Sequence, residues 1–397
     1  MTSQTRTALV IGGGIAGSTV AMALQRAGIE ATVHEAYHVT ADGIGGGLSL
    51  APNGVNALDA IGVGDVIRRV GTPMRGTVLH TADGELLGEV TLPAELPPSR
   101  FVWRGDLYRA LFDEATARGI RTLHGKRLVH AEDTGDGITA HFSDGTRASA
   151  DILVGTDGIR STVRTLIDPA APQPQYAGLL GFAAPLADTG LPGTGGKLHV
   201  SYGTGGSFGH LVHDDGSGGW FVNLPHPEPL TLAGARQTAQ EQWLDTLRRA
   251  FADQCAPAAD LLARTDPADL LITGPLETMP PVPTWSRGRT VLVGDAVHAA
   301  SPSSGQGASQ AIESAVQLAR CLRDLPYEEA FAAYESLRRA RVERIIALAA
   351  RTNASKASPL ARGPRDLKPE PLDWQFTYRI DWEAPVAADA GKAENAA

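Results

Sequence analysis

Three carboxylates stand at the ends of strand-like runs: Glu35 after ATVH, and, beside glycines, Asp157 in ILVGTDG and Asp295 in VLVGDA. Ahead of the first, VIGGGIAG sets Gly12, Gly14 and Gly17 in a Gly-x-Gly-x-x-Gly pattern between an apolar strand and a helix start. The first glycine permits a tight turn, the second lets a pyrophosphate approach the backbone, and the third allows close helix–strand packing. Free amides at the helix start, including those of Ile15 and Ala16, favour a phosphate there. Glu35 lies where an acid binds a ribose hydroxyl, and a free 2′-hydroxyl points to FAD or NAD rather than NADP. Asp157-Gly158 puts a carboxylate at the C-terminal end of a strand, where ligands of α/β sheets collect. Its structural alternative is an Asx turn or a helix cap. Gly294-Asp295 repeats the device, and small residues then lead through Pro302, Gly305, Gln306, Gly307 and Ala308 into another helix.

The elements that must position these groups follow from periodicity. Ala8–Ile11, Ile15–Ala27 and Ala31–Glu35 read as strand, helix and strand. A short helix at 53–62 takes Asn53 as its expected cap, and 105–118 is amphipathic and helical. Strands are expected at Arg127–Glu132, Thr139–Phe142 and Asp151–Gly155. From Tyr176 onward, runs such as KLHVSYG, FGHLVH and GWFVNLP alternate between glycine-rich turns, as in an antiparallel sheet with one covered face. The helix EQWLDTLRRAFADQC follows, then the strand Thr290–Val293, the helix from Gly307 and a charged helix over Tyr327–Thr352. In that last helix Arg338, Arg339, Arg341 and Arg344 are expected on a solvated face, opposite Phe331, Tyr334 and Ile345.

The expected fold is therefore α/β: a Rossmann-like FAD-binding domain of the glutathione-reductase type, interrupted by an antiparallel β-sheet substrate domain, with C-terminal helices. Its segments are 1–75, 98–175 and 278–325 for the FAD-binding domain and 76–97 with 176–277 for the substrate domain. A helical segment at 326–355 and a partly disordered tail at 356–397 complete the chain. At 397 residues, 43% of them hydrophobic, the chain can bury a sizeable core. The net charge of −9 speaks against nucleic-acid or anionic-membrane partners. Cys255 and Cys321 have no metal-type spacing, no apolar run reaches membrane-spanning length, and neither a metal cluster nor a leader segment is expected. A cytoplasmic location and a monomer or homodimer are expected.

Taken in order, Gly-x-Gly-x-x-Gly, Asp-Gly and Gly-Asp are far more specific than any one alone. With GGGLSLAPNGVNALDAIG, WRGDLYRAL and TWSRGRTVLVGDAVHAASPSSGQGASQAIESA, the chain from Thr7 to Ala349 resembles the single-component FAD-dependent aromatic hydroxylases. That group has the p-hydroxybenzoate hydroxylase fold and includes salicylate and urate hydroxylases and tetracycline-modifying monooxygenases. The resemblance implies that Gly12, Gly14 and Gly17 contact the FAD pyrophosphate and Glu35, followed by Ala36, the adenosine ribose. It places Gly47 and Arg104 on the flavin side and Asp157 in the motif linked with FAD and the transient pyridine nucleotide. Asp295 would hold the ribityl chain, and the Gly305–Ala308 backbone would face the isoalloxazine pyrimidine edge. Ser309 and Ser314 stand where relatives often carry Asn and Asp, and Ala36 where many carry a basic residue.

The implied chemistry belongs to the cofactor. NADPH or NADH reduces FAD, O2 adds at flavin C4a, and the hydroperoxide delivers one oxygen to an electron-rich, aromatic or polycyclic small molecule, as in secondary metabolism. No catalytic side chain is identified. Tyr202, His210, Trp220 and Asn223 are the candidates for lining the substrate cavity, with His199 on the face opposite Tyr202 if the strand is regular. His298 borders the late motif and is not assigned to catalysis. Epoxidation, Baeyer–Villiger oxidation and prenyl-chain reduction stay open on the same scaffold. A non-catalytic nucleotide sensor is the contrasting class.

Overall fold

The computed structural model describes residues 5–40, 45–252, 257–357 and 373–386. In chain order, β1 (Thr7–Ile11), α1 (Ile15–Arg26) and β2 (Glu30–His34) are followed by β3 (Gly47–Leu50), α2 (Pro52–Ala60), α3 (Gly64–Arg68) and β4 (Thr72–Met74). Next come β5 (Gly76–Thr81), β6 (Leu86–Thr91), β7 (Ser99–Trp103), α4 (Arg104–Ala117) and β8 (Arg121–Leu123). The meander β9 (Leu128–Asp133), β10 (Ile138–Phe142) and β11 (Arg147–Ala150) leads into β12 (Ile152–Gly155) and α5 (Thr162–Ile167). Then β13 (Gln175–Leu186), β14 (Lys197–Gly203), β15 (Gly206–Val212) and β16 (Gly218–Pro225) precede α6 (Leu232–Ala235), α7 (Gln240–Ala250) and α8 (Ala258–Arg264). The chain ends with β17 (Leu271–Thr278), β18 (Ser286–Arg287), β19 (Thr290–Leu292), α9 (Asp295–His298), α10 (Gly307–Asp324), α11 (Tyr327–Ala357) and α12 (Asp373–Phe376).

Two sheets carry the architecture. One has the order β18-β19-β12-β1-β2-β8, and β19, β12, β1, β2 and β8 run parallel. Its central strands are buried on both faces, which is why TALVI, ILVG and TVL read as nearly continuous apolar runs. The other sheet has the order β17-β13-β16-β15-β14-β5-β6. It is antiparallel except where β14 meets β5, a parallel join between strands far apart in sequence. Each sheet has its own core. Val10, Leu24, Leu153 and Ile312 belong to the first, and Phe182, Phe208, Trp220 and Leu244 to the second.

Local details depart from the sequence reading. Asn53 is not the cap of α2: Ala51 holds that position, Pro52 occupies the first turn, and Asn53 is buried inside the helix. Proline suits that first turn because its missing N–H would have no intrahelical partner there. The helix expected to reach Cys255 ends at Ala250, and Cys255 lies outside the described residues. Within the stretch read as a loose tail, residues 373–386 pack against the body. Trp382 and Ile380 are buried, and Arg320 and Arg323 both donate to the Ala384 carbonyl. No helix among the described residues is long and apolar enough to cross a membrane.

Candidate functional site

The three glycine-flanked turns converge at the C-terminal edge of the parallel sheet. A Cβ on Gly12, whose φ is +101°, would lie 2.6 Å from the Thr156 carbonyl oxygen and 2.9 Å from Asp157 Cα. Thr156 Oγ1 donates to the Ile11 and Gly12 carbonyls, at 2.8 Å each, and so locks the two turns together. A Cβ on Gly17 would stand 1.9 Å from the Gly12 carbonyl oxygen, so only glycine lets α1 begin so near the turn. Gly294 has φ +66°, and a Cβ there would lie 3.1 Å from the Cβ atoms of both Ala16 and Ala311. The early, middle and late motifs thus share one junction. Around Gly14, by contrast, a Cβ would meet nothing within 4 Å.

That open space faces unspent donors. Gly14 caps α1 without a side-chain bond, and among the described residues the Ile15, Ala16 and Gly17 amides have no acceptor. Glu35 sits beside them: its Oε2 accepts the Gly13 amide at 2.7 Å, and its Oε1 accepts the Tyr37 amide at 2.9 Å. The carboxylate is fixed at the mouth of the turn with acceptor capacity left on both oxygens. Ala36 is half-buried beside it and supplies no charge.

Asp157 is engaged locally. Its Oδ1 accepts Ser161 Oγ at 2.5 Å, and its Oδ2 accepts the amides of Thr162 and Val163 at 2.7 and 3.1 Å. It helps cap α5, as its structural alternative foresaw. Burial nevertheless pushes its carboxyl pKa above the ordinary value, against those hydrogen bonds. Arg164, which sequence reasoning passed over, ties the middle turn to the late one. Buried, it donates to the Ala296 carbonyl and to the Ile159 carbonyl, both at 2.8 Å. Its place in DGIRSTVR was visible, but not the burial of its guanidinium.

Asp295 behaves differently. It is reached by solvent, yet surrounding protein raises its carboxyl pKa by desolvation, only partly offset by attraction to Arg104. Both observations hold for a group on the wall of a deep cleft. Among the described residues its carboxylate has no hydrogen-bond partner, and neither does the Arg104 guanidinium. Arg104 starts α4, packs its stem on Gly45, and donates its amide to Gly46. Gly47 gives its missing side chain to the Phe101 ring, 2.4 Å from where a Cβ would stand.

After α9, a turn at Pro302–Ser304 ends on left-handed Gly305, which is exposed. Gln306 is buried and precedes α10, which has no side-chain cap. The Gly307 and Ala308 amides therefore donate to nothing among the described residues, at the positive end of a helix of 18 residues.

Beneath this turn lies a buried polar network. Asn53 Nδ2 donates to Gln306 Oε1 at 2.9 Å and to Glu313 Oε1 at 2.5 Å. Arg338 meets Glu313 at 2.5 Å, Gln310 at 2.5 Å and Ser314 at 3.2 Å, and Arg341 bonds both oxygens of Glu313 at 3.0 Å. This corrects the solvated-face expectation for Arg338 and Arg341, while Arg344 is exposed and Arg339 half-buried. Arg338 and Glu313 have fully buried side chains, because α10 presents a carboxylate to the inner face of α11. Ser314 and His298 Nε2 lie 2.8 Å apart, and burial, then Arg338, lower the His298 pKa to about 3. His298 is a neutral packing residue. Ser309 Oγ accepts the Ala51 amide at 3.1 Å.

The seven-stranded sheet turns one face to this cleft. A Cβ on Gly46 would lie 3.1 Å from Thr273 Cγ2 and 3.4 Å from Ala183 Cβ, and one on Gly219 would lie 3.1 Å from the Trp103 ring. Cross-strand register puts Tyr202, Ser207, Asn223 and Gly181 in one row on that face. His199, His210 and Trp220 form a row on the other face. Two of the candidate cavity residues are therefore displaced. Trp220 is 2% exposed, donates its indole N–H to Thr265 Oγ1 at 2.9 Å and stacks on Phe208 in the second core. His210 packs against His199, and His199 Nδ1 lies 3.2 Å from His80 Nε2. Burial lowers the His210 pKa to about 4. Tyr202 and Asn223 remain, joined by Ser207, Phe221 and Trp103, which sequence reasoning did not single out.

Comparison with known proteins agrees with this geometry. The family model described as "FAD binding domain" matches residues 5–189 and 281–349. An FAD-dependent urate hydroxylase of Klebsiella pneumoniae is 31% identical over 347 residues, covering 85% of this chain and 87% of the relative. The 6-hydroxynicotinate 3-monooxygenase of Pseudomonas fluorescens is 30% identical over 364 residues, covering 86% of this chain and 90% of that one. The solved structure of Klebsiella pneumoniae HpxO with FAD and uric acid superposes with a TM-score of 0.78 at 29% identity, over 89% of each chain. The chain belongs to the FAD binding domain family and is a flavin-dependent monooxygenase with FAD as its cofactor.

Proposed function

We propose that the protein uses NADPH or NADH and O2 to hydroxylate a small aromatic molecule held between the flavin and the seven-stranded sheet. The observation that carries this reading is the convergence of three turns on one cleft, with open amides at α1 and α10 and an unpartnered carboxylate at Asp295. Bound FAD supplies the redox chemistry, taking electrons from the pyridine nucleotide and passing one atom of O2 to the substrate.

The chain's own residues bind and orient. In this reading Gly12, Gly14, Ile15, Ala16 and Gly17 take the pyrophosphate, Glu35 and Ala36 border the adenosine ribose, and Asp295 with Gly294 holds the ribityl chain. Asp157 and Arg104 border the cofactor, and Gly47 keeps the neighbouring strand close. Pro302, Gly305 and Gln306 shape the turn that presents the Gly307 and Ala308 amides. Those amides suit the negative charge of a reduced flavin's pyrimidine edge, because a helix N-terminus stabilises an anion at little reorganisation cost. The segments 1–75, 98–175 and 278–325 act as the FAD-binding domain and 76–97 with 176–277 as the substrate domain. Residues 326–355 brace the former. The membership of β5 and β6 in the seven-stranded sheet supports that division.

A cytoplasmic setting suits the reading, since reduced pyridine nucleotides are available there and buried Cys321 stays a thiol. The urate and 6-hydroxynicotinate relatives support an aromatic substrate. The test is aerobic NAD(P)H oxidation by the FAD-loaded protein across a panel of aromatics, with product mass read for one added oxygen. Stimulated oxidation with an oxygenated product is expected. Product formation that persists without O2 would favour a reductase on the same scaffold.

A further inference from the structure

The sheet face turned toward the cleft carries no charge from β5 across β14, β15 and β16 to the paired part of β13. Its polar row is Tyr202, Ser207 and Asn223. The adjoining row is apolar, with Val200, Gly209, Phe221 and Ala183. Gly209 lets the Phe221 ring lie against the strand, since a Cβ there would be 2.2 Å from that ring. Lys197 and Glu89, charged residues of the same sheet, lie on the opposite face and pair with each other at 2.7 Å.

The polar row has unspent capacity. Asn223 Nδ2 donates to Ser207 Oγ at 3.2 Å, while Asn223 Oδ1 and the Tyr202 hydroxyl have no hydrogen-bond partner among the described residues. Asn223 is 7% exposed, and its free carbonyl oxygen keeps enough surface to meet a ligand. Burial pushes the Tyr202 phenol up to about 12, so it keeps its proton and can donate. Together they offer one donor and one acceptor beside a flat apolar surface. A carboxylate placed there would lose its hydration and find no cation on these strands, and Arg104, at the start of α4, borders the cofactor in the proposed reading.

Resting on the proposed aromatic hydroxylation, we infer that the substrate is an uncharged aromatic molecule whose hydroxyl or carbonyl edge is read by Tyr202 and Asn223. Aromatic acids are correspondingly disfavoured. Phe221 and Trp103 supply the stacking surface.

The test titrates the FAD-loaded protein with near-isosteric pairs of unlike charge: 4-hydroxybenzamide against 4-hydroxybenzoate, and 4-hydroxyquinoline-2-carboxamide against the 2-carboxylate. Perturbation of the flavin absorbance reads binding. The neutral member of a pair should bind at least about tenfold tighter, and Tyr202→Phe or Asn223→Ala should weaken it by about tenfold. Asn223→Arg should shift preference toward the acid. Retained flavin absorbance identifies folded variants, and the wild-type preference stands without them. Equal or tighter binding of the acids, or no perturbation by any pair, overturns the inference. Absence of bound flavin before any ligand is added overturns the underlying reading, and the substrate inference with it.

Discussion

Gly294 and Ala16 meet so closely that a Cβ on the glycine would lie 3.1 Å from that of the alanine. The two residues are 278 positions apart, and their contact sets the late carboxylate turn beside the early phosphate turn. Gly294 also has φ +66°, a conformation that L side chains rarely adopt. Gly294→Ala should therefore destabilise the protein by about 1–3 kcal/mol and weaken FAD retention. Urea unfolding of the apoprotein and flavin content after gel filtration measure the two effects.

Asp295 makes the opposite case, a group the fold can lose. Its carboxylate has no hydrogen bond to surrender, so Asp295→Asn should leave the apoprotein at least as stable as the wild type while FAD affinity falls about tenfold or more. The pH dependence has a definite sign. A carboxyl whose pKa is raised in the native state binds protons there more readily than in the unfolded chain. Wild-type stability should fall relative to the variant as pH rises from below the ordinary Asp value, and the gap should persist at neutral pH. Apoprotein unfolding at several pH values checks it.

Glu313 and Arg338 pair at 2.5 Å with both side chains fully buried, and Arg341 leans on the same carboxylate. Glu313→Gln leaves two guanidinium groups without their counter-charge. A loss of about 3–5 kcal/mol is expected, because an unpaired buried charge is worse than no pair. Denaturant titration reads the loss directly. Glu343→Gln, which removes only a part-exposed partner of Arg339, should cost about 1 kcal/mol or less.

His298 supplies a second pH signature. Its pKa is lowered to about 3 by burial and by Arg338. Between there and the ordinary histidine value the unfolded chain binds a proton that the native protein refuses, so stability declines as pH falls through that window. His298→Gln should flatten the decline by up to one proton, visible in the slope of unfolding free energy against pH.

Much of the cofactor side was legible because each motif was local. Gly12, Gly14 and Gly17 lie within one turn, and the strands carrying Asp157 and Asp295 announce themselves as apolar runs ending in glycine. The substrate side was less so. Trp220 and Asn223 are three residues apart on one strand, so alternation alone already sets them on opposite faces. Which face meets the cleft depends on the register of β14, β15 and β16 and on the parallel join to β5. Arg338 was misplaced for a related reason: an arginine reads as surface until a carboxylate from another helix, Glu313, is known to face it.

Trp220 gives that lesson a test. As a core residue rather than a cavity wall, Trp220→Ala should cost about 3–5 kcal/mol of stability. Its replacement by Phe should leave the affinity for a bound aromatic unchanged while lowering the melting temperature. A large affinity loss with unchanged melting would return Trp220 to the cavity.

The central claim is that this fold carries FAD to insert oxygen into an aromatic molecule. The most direct measurement supplies the FAD-loaded protein with NAD(P)H, an uncharged hydroxylated aromatic and isotopically labelled O2, and weighs the product. One labelled oxygen atom per product molecule, with none from solvent, is the predicted result. A product labelled only from water, or hydrogen peroxide with unmodified aromatic throughout the panel, would contradict it.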